Sequence, residues 1–139
     1  MGSRHRSREA ALKVLYQADL LKENDYPKLI DEVCADNPKG NSDRGFIQSL
    51  VAGVFAHLPE IDSKLEKLSE NWDLNRLGYL ERAILRMALY EMEFDITTPA
   101  KVSIDEAIEL AKTYCEPESA GFINGVLDKA LKDKANSGS

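Results

Sequence analysis

Three arginines near the amino terminus, Arg4, Arg6 and Arg8, are the residues best equipped for recognition chemistry in this chain. Each guanidinium is a planar fork of N–H donors that stays charged at physiological pH, suited to a phosphate or to the acceptor edge of a guanine. They belong to a basic arm: residues 1–22 carry five cations against two carboxylates, a balance of +3. The whole chain is −6, so the remainder holds −9. Such an arm can touch phosphate while the acidic body suits a basic protein. The same pattern also describes an ordinary solvated terminus on an acidic domain, and charge by itself does not separate the two.

Other chemistries lack their residues. His5 and His57 are isolated, and Cys34 and Cys115 lie far apart, so no metal-ligand spacing and no CxxC motif is present. Reduced thiols in a cytosolic protein are expected. There is no Gly-rich dinucleotide or phosphate loop, and no catalytic triad can be assembled. Carboxylates such as Glu60, Asp62, Glu66 and Glu70 follow helical faces and read as solvated surface. No apolar run approaches the roughly 18 residues of a membrane span, and no secretory segment is visible. The expectation is a cytoplasmic, non-enzymatic protein without cofactor or metal.

The elements that must position the arm are helices. Ala11, Val14, Leu15, Ala18 and Leu21 repeat at helical spacing and predict a helix from Ser7 to about Leu21. Asn24-Asp25-Tyr26-Pro27 breaks it, and residues 28–35 form a short second helix with Leu29, Ile30 and Val33. After a turn-rich loop over 36–42, Ser42 or Asp43 caps a third helix carrying Phe46, Ile47, Leu50, Val51, Val54 and Phe55. Pro59 fits the first turn of a fourth, with Ile61, Leu65 and Leu68 inward. A connector over 71–75 leads to the strongest helix, from about Arg76 to Phe94, whose wide apolar arc predicts a central, buried element. Ser103-Ile104-Asp105-Glu106 reads as a capping box opening a sixth. Glu116-Pro117-Glu118-Ser119 ends that one and starts a seventh.

In the seventh helix Phe122, Ile123, Val126, Leu127, Ala130 and Leu131 form one apolar face, which places Gly125 inside the helix rather than in a hairpin turn. There it costs about 1 kcal/mol relative to Ala. A neighbouring helix, or a ligand, approaching too closely for a side chain would offset that cost. The expected fold class is all-α, about seven helices in one domain over residues 1–134, with 135–139 as a flexible tail.

Several segments together carry a resemblance. They are Arg6-Ser7-Arg8-Glu9-Ala10-Ala11-Leu12 with Val14-Leu15-Tyr16; Trp72 with Arg76-Leu77; the run from Glu81 to Glu91; the run from Lys101 to Lys112; and Phe122-Ile123-Asn124-Gly125-Val126-Leu127-Asp128. In this order and spacing, over nearly the whole chain, they resemble the NusB family of bacterial transcription antitermination factors. The resemblance implies two packed three-helix bundles. It also implies an RNA-binding factor that takes the single-stranded boxA element of rRNA leader transcripts with ribosomal protein NusE, in a complex on RNA polymerase that suppresses termination. It leaves open whether the free protein is a monomer or a homodimer that hides the arm.

Carried onto residues, the resemblance implies RNA contacts from Arg4, Arg6 and Arg8. Tyr16 could stack on an unpaired base, worth about 1–3 kcal/mol, or pack its ring in the core. Phe122 matches a position on the family's RNA-facing side; periodicity alone also fits an interior Phe. Glu118 and Ser119 open the last helix, where backbone amides could meet RNA groups. Glu81 is the candidate for the partner surface, or else a solvent-facing carboxylate. Two departures stand out: Ala120-Gly121 precedes Phe122 where a basic residue is common, and His5 stands where another arginine is frequent. Fewer cations imply modest, salt-sensitive RNA affinity and more dependence on the basic partner. Two other readings compete: a NusB-like domain detached from an rRNA cytosine methyltransferase, and a purely protein-binding helical scaffold.

Overall fold

The computed structural model describes residues 3–35, 43–69, 77–95 and 97–137. The loop over 36–42 with the candidate cap Ser42, the connector over 71–75 with Trp72, and Arg76 lie outside them. Among the described residues every regular element is a helix: α1 Ser3–Leu21, α2 Tyr26–Ala35, α3 Arg44–Ala56, α4 Leu58–Leu68, α5 Tyr79–Phe94, α6 Ala100–Tyr114 and α7 Pro117–Ser137. The chain divides into two compact units, Met1–Ala56 and His57–Ser139.

In the first unit α1 packs against both α2 and α3. Ala11, Leu12, Val14, Leu15 and Ala18 bury the face that periodicity marked. α1 starts four residues earlier than the apolar pattern indicates, so the arginines are themselves helical. It ends on Lys22, whose φ of 58° is left-handed, with the Glu23 N–H donating to the Ala18 carbonyl at 2.9 Å. That six-to-one bond satisfies a terminal carbonyl as a Schellman cap does. α2 begins at Tyr26 rather than 28, because Pro27 in a first turn needs no N–H of its own. The Asp25 side chain accepts the Lys28 amide at 3.2 Å and caps it. Tyr26 and Phe55 then meet across α2 and α3 as a tilted ring pair, with centroids 4.8 Å apart.

In the second unit α5 packs against α4, α6 and α7. Its Ala83, Ile84, Leu85, Met87, Ala88, Leu89 and Met92 are buried, as the wide arc indicated. Arg86 reaches α4 and donates from Nε and Nη2 to the two Asp62 oxygens, each at 2.8 Å. The helix starts at Tyr79, not Arg76, because Gly78 has extended backbone (φ −64°, ψ 157°) and serves as N-cap.

Two expectations are corrected. The capping box at Ser103 does not form: α6 starts at Ala100 after Pro99, and Ser103 lies within it. Its hydroxyl, buried at 1 % exposure, instead donates to Glu91 Oε1 on α5 at 2.9 Å. Gly125 is indeed inside α7, but no described neighbour crowds it; a Cβ built there meets nothing within 4 Å, and the same holds at Gly121. With no described neighbour to offset its cost, Gly125→Ala should raise stability by about 0.5–1 kcal/mol, measured by thermal or urea denaturation. If the same variant weakens ligand binding, the open strip on α7 is where a ligand backbone approaches.

Candidate functional site

In the first unit the amino-terminal turns of α1 meet the start of α3. Arg4, Ser7 and Arg8 share one stripe of α1 because residues three and four apart face the same way. Ser7 is fully buried, and its hydroxyl accepts the Asp43 backbone N–H at 2.7 Å. Asp43 in turn caps α3, its Oδ1 accepting the Phe46 amide at 3.2 Å, as expected of that residue. Its other oxygen, Oδ2, faces Arg4 at 3.7 Å in an exposed ion pair. The Phe46 ring carries the guanidinium of Arg4 at 4.1 Å and that of Arg8 at 5.3 Å, both within cation–π range.

The three arginines are therefore not equivalent. Arg4 keeps 60 % of its side chain exposed, and Arg6 is exposed. Arg8 is only 4 % exposed, its guanidinium turned to Phe46 rather than offered to solvent. His5 is half-buried beside Glu9 at 3.7 Å. Tyr16 is half-buried, midway between a core ring and an open stacking platform.

In the second unit the beginnings of α5 and α7 meet. Ser119 Oγ donates to Glu81 Oε2 at 2.8 Å, so a residue expected on the RNA side and one expected on the partner side are bonded to each other. Glu81 also folds back over Gly78, so any side chain there would collide with its carboxylate. Glu81 and Glu118 each lie in the first turn of their helix, where a negative charge is favoured by the helix dipole. The Ser119 amide is already spent on the Glu116 carbonyl at 2.9 Å, which removes one of the N–H groups expected to be available there. Glu118 is exposed and Phe122 half-buried, and Gly121 and Gly125 leave the helix surface near them bare.

Cys115 lies at the same corner. Burial, then the charges of Glu81 and Glu116, push its thiol up to about 11. It is protonated at neutral pH and is no nucleophile. A pocket of about 190 Å³ between α4 and α5, lined by Glu60, Ile61, Lys64, Leu89, Glu93 and Phe94, contains none of the expected site residues. No group of three or more metal-ligating side chains occurs among the described residues. No described helix is long and apolar enough to cross a membrane.

Similarity to known proteins decides the family. The profile of the NusB family matches residues 5–132. The chain belongs to the NusB family. The transcription antitermination protein NusB of Acetivibrio thermocellus is 41 % identical over 131 residues, covering 94 % of this chain and 90 % of that protein. That of Lysinibacillus sphaericus is 42 % identical over 126 residues, covering 91 % and 94 %. Among solved structures, NusB of T. maritima superposes with a TM-score of 0.84 at 34 % identity over 95 % of this chain and 93 % of that one. A crystal structure of antitermination factors NusB and NusE in complex with dsRNA gives 0.85 at 33 % identity, covering 94 % and 96 %.

Sequence reasoning missed the roles of Phe46, Asp43 and Ser7 in holding this family member's arm. Periodicity makes Phe46 one apolar position of α3 among several, and local spacing makes Asp43 only a cap. The one available signal was the spacing of Arg4, Ser7 and Arg8, which puts a small hydroxyl and two guanidinium groups on one stripe. The Glu81–Ser119 bond spans 38 positions and left no local trace.

Proposed function

We propose that this chain is a transcription antitermination factor that binds the boxA element of nascent rRNA leaders together with ribosomal protein NusE, on RNA polymerase in the cytoplasm. The observation that carries the reading is the similarity, across nearly the full length of both chains, to a NusB solved with NusE and RNA. The geometry agrees: Arg4 and Arg6 are exposed on an ordered helical turn. Residues 1–134 form the RNA-binding domain in this reading, close to the span of the family match. Arg4 and Arg6 contact phosphate or guanine, Arg8 supports them from within, and Tyr16 and Phe122 supply partly open rings for unstacked bases. Glu118 and Ser119 border that surface on α7, and Glu81 belongs to the acidic surface that docks the basic partner. The high coverage of relatives named as antitermination proteins favours this role over that of a methyltransferase segment.

Fluorescence anisotropy with a boxA-like RNA and a scrambled control, with and without NusE at two salt concentrations, tests the reading. Specific binding strengthened by NusE is the expected result, and by linkage RNA must tighten NusE binding by the same factor. Arg4→Ala with Arg6→Ala should weaken boxA binding about tenfold or more and lower the salt slope by roughly 0.7 for each phosphate no longer neutralised. Equal, weak, salt-sensitive binding to both RNAs in every condition would leave the protein-scaffold reading in its place.

A further inference from the structure

We infer that Phe46 is a positioning residue for RNA binding, acting through the arginines of α1 rather than by touching RNA. The inference rests on the reading of the arm as an RNA-contact surface and names the device that orders it. The Arg4 guanidinium carbon lies over the Phe46 ring, 4.1 Å from its centroid, within cation–π range. The ring offers no oxygen acceptor, so the contact restrains the long side chain without pairing its N–H donors to an acceptor, and Arg4 keeps 60 % of its side chain exposed. Its Nη1 faces Asp43 Oδ2 at 3.7 Å, a long, exposed pair of the kind a phosphate can replace.

The ring is itself held. Its backbone amide is bonded to Asp43 Oδ1, and the Asp43 amide to the buried Ser7 hydroxyl, so the first turn of α3 is tied to α1 at that point. Arg8, 4 % exposed and 5.3 Å from the same ring, adds a second positive charge beneath the arm. Two guanidinium groups over one ring bring positive charge together at the base of the arm. Arginines ordered before binding lose less freedom on binding, so the arm binds phosphate more tightly than an equally charged, unrestrained tail.

The test compares Phe46→Leu, which keeps apolar bulk without a π face, with Phe46→Tyr, which keeps the face. Binding of boxA-like RNA is read by anisotropy, with Arg4→Ala/Arg6→Ala alongside and circular dichroism to monitor folding. Phe46→Leu should weaken binding about three- to tenfold while Phe46→Tyr stays within about twofold of the parent. In the parent protein, NMR should show ring-current shifts of the Arg4 side-chain protons, a readout that needs no variant to fold. Equal binding by Phe46→Leu and parent, equal losses in both variants, or unshifted Arg4 signals would each overturn the inference. If the double arginine variant also binds like the parent, the arm reading itself fails; if only that variant loses binding, the failure belongs to Phe46 alone.

Discussion

Glu91→Ala should cost about 2–4 kcal/mol of stability, the largest loss expected from a single substitution outside the apolar core. Glu91 is 1 % exposed in the last turn of α5, beside the buried Met87, Ala88 and Met92, and it accepts the Ser103 hydroxyl at 2.9 Å. Truncation leaves a cavity between α5 and α6 and strands that hydroxyl in a place water does not reach. Ser103→Ala removes only the hydrogen bond to the carboxylate and should cost about 1.5–3 kcal/mol. Urea denaturation of the two single variants and the double variant would separate the terms. A Glu91→Ala loss below that of Ser103→Ala would mean that the carboxylate is not the organiser of this crossing.

Arg86→Ala is expected to cost about 2–3 kcal/mol. The guanidinium makes two parallel bonds of 2.8 Å to Asp62, and only 14 % of its side chain is exposed, so solvent screens the pair less than an open surface pair. The fork geometry fixes the angle between α4 and α5 as well as their attraction, and Arg86→Lys, with one point charge, should recover only part of the loss. A double-mutant cycle with Asp62→Ala measures the pair directly. Coupling near zero would reduce Arg86 to the packing of its stem.

The family supplies the biological frame in which these numbers matter. The arm lies in the unit that holds α1–α3, and the Glu81–Ser119 corner in the unit that holds α4–α7. Substitutions at Glu91 or Arg86 act in the second unit, so they should disturb the surface of Glu81 and Ser119 before the arm. Phe46 and Asp43 act in the first. Measuring RNA and partner binding on both sets would show how far the two contributions are independent.

Much of this was legible from the residues alone. Periodicity located the helices and named Ile61, Leu65 and Leu68, the buried arc of α5, and Ile123, Val126, Leu127 and Ala130, because apolar spacing is a property of one helix considered by itself. Asp43 and Pro59 were readable for the same reason: a cap or a first-turn proline depends only on neighbours a few residues away. Tertiary structure decided the rest. Whether Ser103 caps a helix or reaches Glu91, whether Glu81 faces solvent or Ser119, and whether the Arg8 guanidinium lies open or over Phe46 depend on how helices are rotated and shifted against one another. Those displacements are set by the fit of whole faces, which no local spacing records. A hydroxyl or guanidinium at a given position therefore has its chemistry from the sequence and its partner from the packing.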